Sequence, residues 1–547
     1  MKLRRLLPAV LLGCVAVQAQ QRAPEIDSIK KEQLRADLFF LASDGMQGRL
    51  TDTPTNRLAA EFIAARFQRL GLTPAAPGGS YFQAYDLMTA TLGQSNRLAI
   101  GSTPARTPQD FYPLRFSATG NARGSAVFVG FGITSPERGY DDYRGDVKGR
   151  VVLAIDHEPG ERDPNSPFDG VVTSEAGGQL RKALAAQAKG AAAILFVTDV
   201  HNHPGETNFD ATARNYWPVQ RPVIASYTLA RWAEQVRIPA AQISPALAAE
   251  LLTPAGRTLD ELSKASETAK GTTPIPLNVV DVDLTTAVDR HVVPDRNVLA
   301  MMEGSDPRWR DELVIVCAHF DHNGADGSRI FNGADDNGTG AVGLLDIAEA
   351  YVLAARAGQH PRRSVLFAAW NSEERGLLGA WAYTEDPIRP LDRTVAVLNM
   401  DMIGRNEEVP EGGGPRFRGL DAQTAESNAN ATNLIGTTRS ASLKAAVERA
   451  NAGIGLTLRL RYDNNISQLM RRSDHWPFLQ HGVPAVWFHT GLHPDYHTVD
   501  DDPERINYEK MEKIARLVYQ ASWDLAQQST RPSLSTSSHA SSPAGKQ

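Results

Sequence analysis

From residue 297 onward the chain alternates short, almost wholly apolar runs with helical patterns, and that alternation limits its fold more than any other feature. The apolar runs fall at 313–317, 364–370, 394–400 and 484–488, and the helical patterns at 340–357, 377–384, 441–450 and 508–527. A strand without a polar face cannot border water on either side, so helices must cover both faces of the sheet it joins. The expected class is α/β, an open mixed sheet flanked by helices. Sheets of this kind build their sites outside the carboxyl ends of the strands.

Those ends are where the ionisable residues collect. The first run leads into Ala318-His319-Phe320-Asp321-His322-Asn323, and the second into Asn371-Ser372-Glu373-Glu374-Arg375. The third ends Asn399-Met400-Asp401-Met402, and the fourth continues His489 to His493-Pro494-Asp495-Tyr496-His497-Thr498. A fifth cluster, Gly333-Ala334-Asp335-Asp336-Asn337, precedes the helical pattern at 340. Any one of these reads as a cap or a solvated surface group. Together they offer imidazoles and carboxylates without thiolate, a donor set that suits zinc, with manganese or cobalt as substitutes.

The rest of the chain sets the context. At 547 residues it exceeds one ordinary core. Residues 26–87 read as largely helical, with Gly71 as a stop, and 26–120 form the first part of the main domain. Between 121 and 270 the strand candidates 125–131, 150–155 and 192–197, with one helix candidate at 178–188, predict a β-rich insert. The main domain resumes over 271–527, and the Ser-rich stretch 528–547 is expected to be disordered. A formal charge of −6 gives no basis for a nucleic-acid partner. Lys2, Arg4 and Arg5 ahead of the apolar run 6–17, with Val17-Gln18-Ala19 as a cleavage site, form a secretory signal over 1–19. That run is too short for a membrane span, and the expected location is secreted or periplasmic. The alternative is a lipid anchor at Cys14, within Leu11-Leu12-Gly13-Cys14. Cys317, the second of two cysteines, reads as a small strand residue in the core.

The ordered set His319-x-Asp321, Gly333-Ala334-Asp335-Asp336-Asn337, Glu373-Glu374, Asn399-Met400-Asp401 and Asp495-Tyr496-His497-Thr498 resembles the co-catalytic zinc aminopeptidases, a family that includes glutamate carboxypeptidases. The segment 41–49 is similar to that family's N-terminal segment, and 140–153 resembles the protease-associated domain inserted in many members. The resemblance implies a phosphorylase/hydrolase-like sheet with such an insert, and two Zn2+ ions. His319, Glu374, Asp401 and His497 would be terminal ligands and Asp335 the bridge. Asp321 would hold the His319 imidazole in its ligating tautomer, Glu373 would be the general base, and Tyr496 would donate to the oxyanion. Asp336 would be structural.

The implied reaction is hydrolysis of a peptide substrate, with removal of N-terminal residues favoured. The alternatives are carboxypeptidase or dipeptidase action, a single-zinc glutaminyl cyclase, or a non-catalytic receptor-like binding protein. Arg405, Arg416, Arg471 and Arg472 are the candidates for a terminal carboxylate. His493 competes with His497 as the last ligand, while His322, His475 and His489 read as hydrogen-bonded or core groups. His201 and His203 read as a solvated loop, and 407–411 as a charged surface loop. Nothing in the sequence sets an oligomeric state.

Overall fold

A computed structural model describes residues 22–535 apart from 207, 221 and 223, with backbone only at 278–280. The expected signal at 1–19 and Cys14 lie outside the described residues. The main domain is built on a ten-stranded mixed sheet. Its centre holds Ser364–Trp370, Leu313–His319, Thr394–Met400 and Ala485–His489, all parallel, so their carboxyl ends share one edge. Val288–Met302 and then Phe82–Leu92 extend the sheet antiparallel on one side. Ala431–Ile435 and Thr457–Arg459 extend it on the other.

The apolar runs do what their composition requires. Along Leu313–His319, Val314, Val316 and Ala318 enter one core while Leu313, Ile315 and Cys317 enter the opposite one. Each fully buried Val, Leu or Ile contributes about 1.5–3 kcal/mol. The first core is covered by Lys31–Leu41, Pro54–Leu70, Gly340–Arg356 and Tyr508–Gln527. The stretch Ala334–Arg356 is long and apolar enough to cross a bilayer, but it is mostly buried inside this layer.

Three expectations change. Residues 82–87 are strand rather than helix, because they pair along the length of Val288–Met302. The helical part ends at Gly71, whose φ of 79° closes Pro54–Leu70. The second sheet has eight strands and reaches beyond 121–270, taking in Arg97–Ile100 and Ile275–Thr286. Besides the expected helix at Gln179–Ala188, the insert carries helices at Phe209–Tyr216, Ala230–Gln235, Pro245–Leu252 and Leu259–Ser266. Asn208, Ser244 and Thr258 cap helices of only eight residues each, too short to display a helical period clearly. At the C-terminus, the tail is fastened at its start: Ser440 Oγ donates to Ser533 O at 2.8 Å and Ser535 N to Arg439 O at 2.8 Å. Residues 536–547 lie outside the described residues.

The insert grips the loop before His475–Gln480. Arg471 Nη1 donates to Thr173 O at 3.0 Å, Trp476 Nε1 to Glu175 Oε1 at 2.8 Å, and Thr173 N to Gln468 Oε1 at 2.9 Å. Behind this contact Glu158 is buried and accepts the Ser174 amide at 2.9 Å and the Ser174 hydroxyl. Burial pushes its carboxyl from the ordinary 4.5 up to about 7. Below pH 4.5 both folded and unfolded chains hold that proton. Between about 4.5 and 7 the unfolded chain binds fewer protons, so stability falls as pH rises. Glu158→Gln should flatten this stretch of a Tm–pH profile, an effect on the order of 3 kcal/mol. A profile as steep as that of the unmodified protein would contradict the assignment.

Candidate metal centre

The shared edge of the sheet gathers the clusters predicted from sequence. One ligand atom each from His319, Asp336 and Asp401 forms a first compact group, and atoms from His322, Asp336, Glu374 and His497 form a second. Asp336 belongs to both. Its Oδ1 lies 3.4 Å from His319 Nε2, and its Oδ2 lies 2.9 Å from His497 Nε2. His319 Nε2 also lies 3.6 Å from Asp401 Oδ1 and 3.7 Å from Glu373 Oε2, while His497 Nε2 is 3.2 Å from Glu374 Oε1.

Asp335, the expected bridge, is elsewhere. Its Oδ1 accepts the Gly404 amide at 2.7 Å and the Thr339 hydroxyl at 3.2 Å, and its Oδ2 faces His493 Nε2 at 3.3 Å. Consecutive residues cannot send their carboxylates to one point, and here the second of the pair takes the shared position. Asp335 ties the floor of the site to the loop after Asp401, and His493 is occupied with it. Gly333 permits this turn. Its φ is 56°, and an added Cβ would stand 2.4 Å from both Asp336 O and the His322 ring.

The supporting groups differ in detail from the expectation. His319 Nδ1 lies 3.2 Å from the backbone oxygen of Asp321, closer than the 3.7 Å to that residue's carboxylate. The Asp321 carboxylate instead accepts the amides of Glu373 at 3.0 Å and Glu374 at 3.3 Å, fixing the turn that carries both glutamates. Ser372 and His497, with φ of 59° and 56°, are non-glycine residues in the left-handed region beside the site. The Tyr496 ring stacks on His497 at 3.8 Å, and its hydroxyl accepts from Arg472 Nη2 at 2.9 Å.

Several participants carried no clear signal in the sequence. Arg49 is fully buried and donates to the carbonyls of Phe320, Leu41, Asn332 and Gly333. Burial lowers it to about 10, opposed by Asp321, Asp501 and Asp336. Asp501 accepts the amides of Asp335 and Asp336, each at 3.1 Å. Ser473 Oγ donates to Asp401 Oδ2. His322, read as a core or hydrogen-bonded group, places Nδ1 2.7 Å from Glu374 Oε1. The other candidates are committed to structure. His475 and His489 are buried against Trp487, Arg405 pairs with Asp495, and Glu407 is buried under Arg461 and Tyr462 rather than on a surface loop.

The electrostatics describe a place built for cations. Burial works against ionisation of Glu373 and, with Asp401 and Glu374 nearby, pushes it well above the carboxylate range despite His319. Burial also opposes ionisation of Glu374, yet His497 and His322 hold it below that range. His497 is raised to about 10 against its own burial, chiefly by Glu374 and Asp336. His319 Nε2 and both ring nitrogens of His322 are buried without a hydrogen-bond partner. Orphaned imidazole nitrogens facing converging carboxylates fit a pair of dications bound by nitrogen and oxygen.

Residues 297–522 match the model of peptidase family M28. Over these residues the chain is similar to that family. All the residues of the two groups fall inside the matched stretch; Arg49 and the insert precede it. The chain is 29% identical over 210 residues to "Probable glutamate carboxypeptidase AMP1" of Arabidopsis thaliana, covering 38% of this chain and 26% of that one. It is 29% identical over 196 residues to "Leucine aminopeptidase 2" of Trichophyton equinum, covering 36% and 33%. These matches therefore span about a quarter to a third of the relatives' length. Among solved structures, an aminopeptidase from Aneurinibacillus sp. strain AM-1 aligns over 92% of this chain and 95% of its own, at 17% identity and a TM-score of 0.48.

Proposed function

We propose that this protein is an exported zinc-dependent exopeptidase that hydrolyses the N-terminal peptide bond of its substrates. The observation that carries the reading is the position of Asp336 between two groups of nitrogen and oxygen donors, with Glu373 beside them. His319 and Asp401 would hold one zinc ion, Glu374 and His497 the other, and Asp336 both. Bound there, the ions supply Lewis acidity for the scissile carbonyl and for the attacking water. Glu373 takes the proton of that water on its carboxylate and returns it to the leaving amine. The Tyr496 hydroxyl, positioned by Arg472, donates to the oxygen that gains charge. Asp321 keeps Glu373 and Glu374 turned to opposite tasks by holding their amides. The insert, read as a protease-associated module, braces the pocket wall through Thr173 and Glu175. The relatives' names, a leucine aminopeptidase and a glutamate carboxypeptidase, are consistent with exopeptidase action at either end.

Comparing hydrolysis of aminoacyl anilides with that of N-blocked peptides, before and after chelation and zinc return, tests this reading. Turnover of the free-amine substrates that follows zinc supports it. Turnover confined to N-blocked peptides with a free carboxylate would move the cut to the other end.

One observation favours that second reading. Arg472 lines the cleft beside Glu373, Glu374 and Tyr496, and no carboxylate of the described residues pairs with it, whereas neighbouring Arg471 is taken by Glu175. An unpaired guanidinium at a substrate cleft suits a carboxylate. If it serves one, Arg472→Gln should raise KM about tenfold or more for peptides ending in a free carboxylate. KM for the corresponding amides should stay nearly constant. An equal loss of kcat on both would leave Arg472 as a support for Tyr496 alone.

A further inference from the structure

The geometry points to a second, separate metal site in the insert, formed by His157, His203 and Glu206 and oriented by Glu161. The sequence suggested a solvated loop around His203, but the fold carries it to the loop that follows Val151–Ile155. One ligand atom from each of His157, His203 and Glu206 lies within 4.8 Å of the others. The imidazoles face each other with centroids 4.0 Å apart and 18° between planes.

Carboxylate oxygens stand at both nitrogens of His203: Glu161 Oε1 at 2.7 Å from Nε2, and Glu206 Oε1 at 3.0 Å from Nδ1. The second Glu161 oxygen is 3.4 Å from His157 Nδ1. Three of the four side chains are largely enclosed, at 33% exposure for His157, 22% for His203 and 13% for Glu161.

Protons alone serve this arrangement poorly. A neutral imidazole has one N–H and cannot donate to two carboxylates. A doubly protonated His203 would stack its charge on a second imidazole. His203 Nε2 is buried and, despite the nearby Glu161 oxygen, has no aligned hydrogen bond, as His319 Nε2 has none in the main centre. A dication resolves the conflict. One nitrogen of His203 binds it together with His157 and Glu206, and the carboxylate at the other nitrogen orients the ring, as carboxylates do for metal-bound histidines. Two imidazoles and a carboxylate make a zinc-type donor set. His157 reaches its place with a φ of 66°, an unfavourable backbone state for a side-chain-bearing residue.

Such an ion would fasten the loop at 156–170 to the loop at 199–206. Both are already tied to Glu267, which accepts from the Gly160 amide at 2.7 Å and from Asn202 Nδ2 at 2.7 Å. The first loop runs on to Thr173 and Glu175, the residues that hold the pocket wall. The site is structural, with no part in the peptidase chemistry.

Full-length protein is stripped with a chelator, supplied with Zn2+ alone, freed of excess by gel filtration and analysed for zinc per chain. His203→Ala should carry roughly one zinc ion fewer than the unmodified protein, with anilide hydrolysis within about twofold. Glu206→Gln, on a side chain 60% exposed, should show the same deficit without threatening the fold. In an Asp336→Ala background, roughly one ion should persist and be removed by adding Glu206→Gln, so the result does not depend on the peptidase assignment. Equal zinc content in the unmodified protein and both single variants would overturn the site.

Discussion

Glu373→Gln is expected to keep its zinc and lose about 10²–10⁴-fold in kcat. The substitution preserves size and the amide contact to Asp321 while removing a carboxylate placed to accept a proton beside the two donor groups. Glu373 Oε2 stands 3.7 Å from His319 Nε2, close to the site without belonging to either compact group. KM should change little, because the proton is moved only in the transition state. Elemental analysis alongside kcat checks both halves. A variant that loses zinc would make Glu373 a ligand, and one with ordinary turnover would remove it from the mechanism.

The second large effect separates two adjacent residues. Asp336→Ala should strip zinc from the centre and lower turnover by about 10³-fold or more, since the Lewis-acid contribution alone is worth several kcal/mol. Its fold should survive, because the backbone amides at 335 and 336 remain held by Asp501. Asp335→Ala should behave differently. It removes the acceptor of the buried Gly404 amide, which costs about 1–3 kcal/mol, while the Thr339 hydroxyl keeps the Asp335 backbone oxygen at 2.8 Å. Its signature is a lowered Tm with zinc retained when the protein is kept cold. Should Asp335→Ala lose zinc and Asp336→Ala keep it, the shared position would revert to Asp335.

That pair also shows where sequence reading runs out. The strands around the site were legible because a run such as Val314 to Ala318 has no polar face, and a sheet with two covered faces puts its loops at one edge. The clusters at those edges followed directly. Which of Asp335 and Asp336 turns inward is decided by one left-handed glycine at 333 and by Asp501, more than 160 residues away in the chain. No local pattern reports either. Arg49 was likewise invisible as a site residue, since its role is to satisfy carbonyls of a nearby helix and of two distant segments. The first part of the strand at 82–92, residues 82–87, was read as helix because its pattern follows a partner, Val288–Met302, that lies two hundred residues later. His203 looked solvated for the same reason: its companions His157 and Glu161 come from another loop.

The most direct test of the account is a zinc titration of chelator-stripped protein followed by hydrolysis of an aminoacyl anilide. Activity should be absent at the start, rise with added zinc and reach a plateau only after the centre shared through Asp336 has filled, at about two ions per chain beyond any held in the insert. Hydrolysis that persists in the stripped protein, or that zinc does not restore, would contradict it.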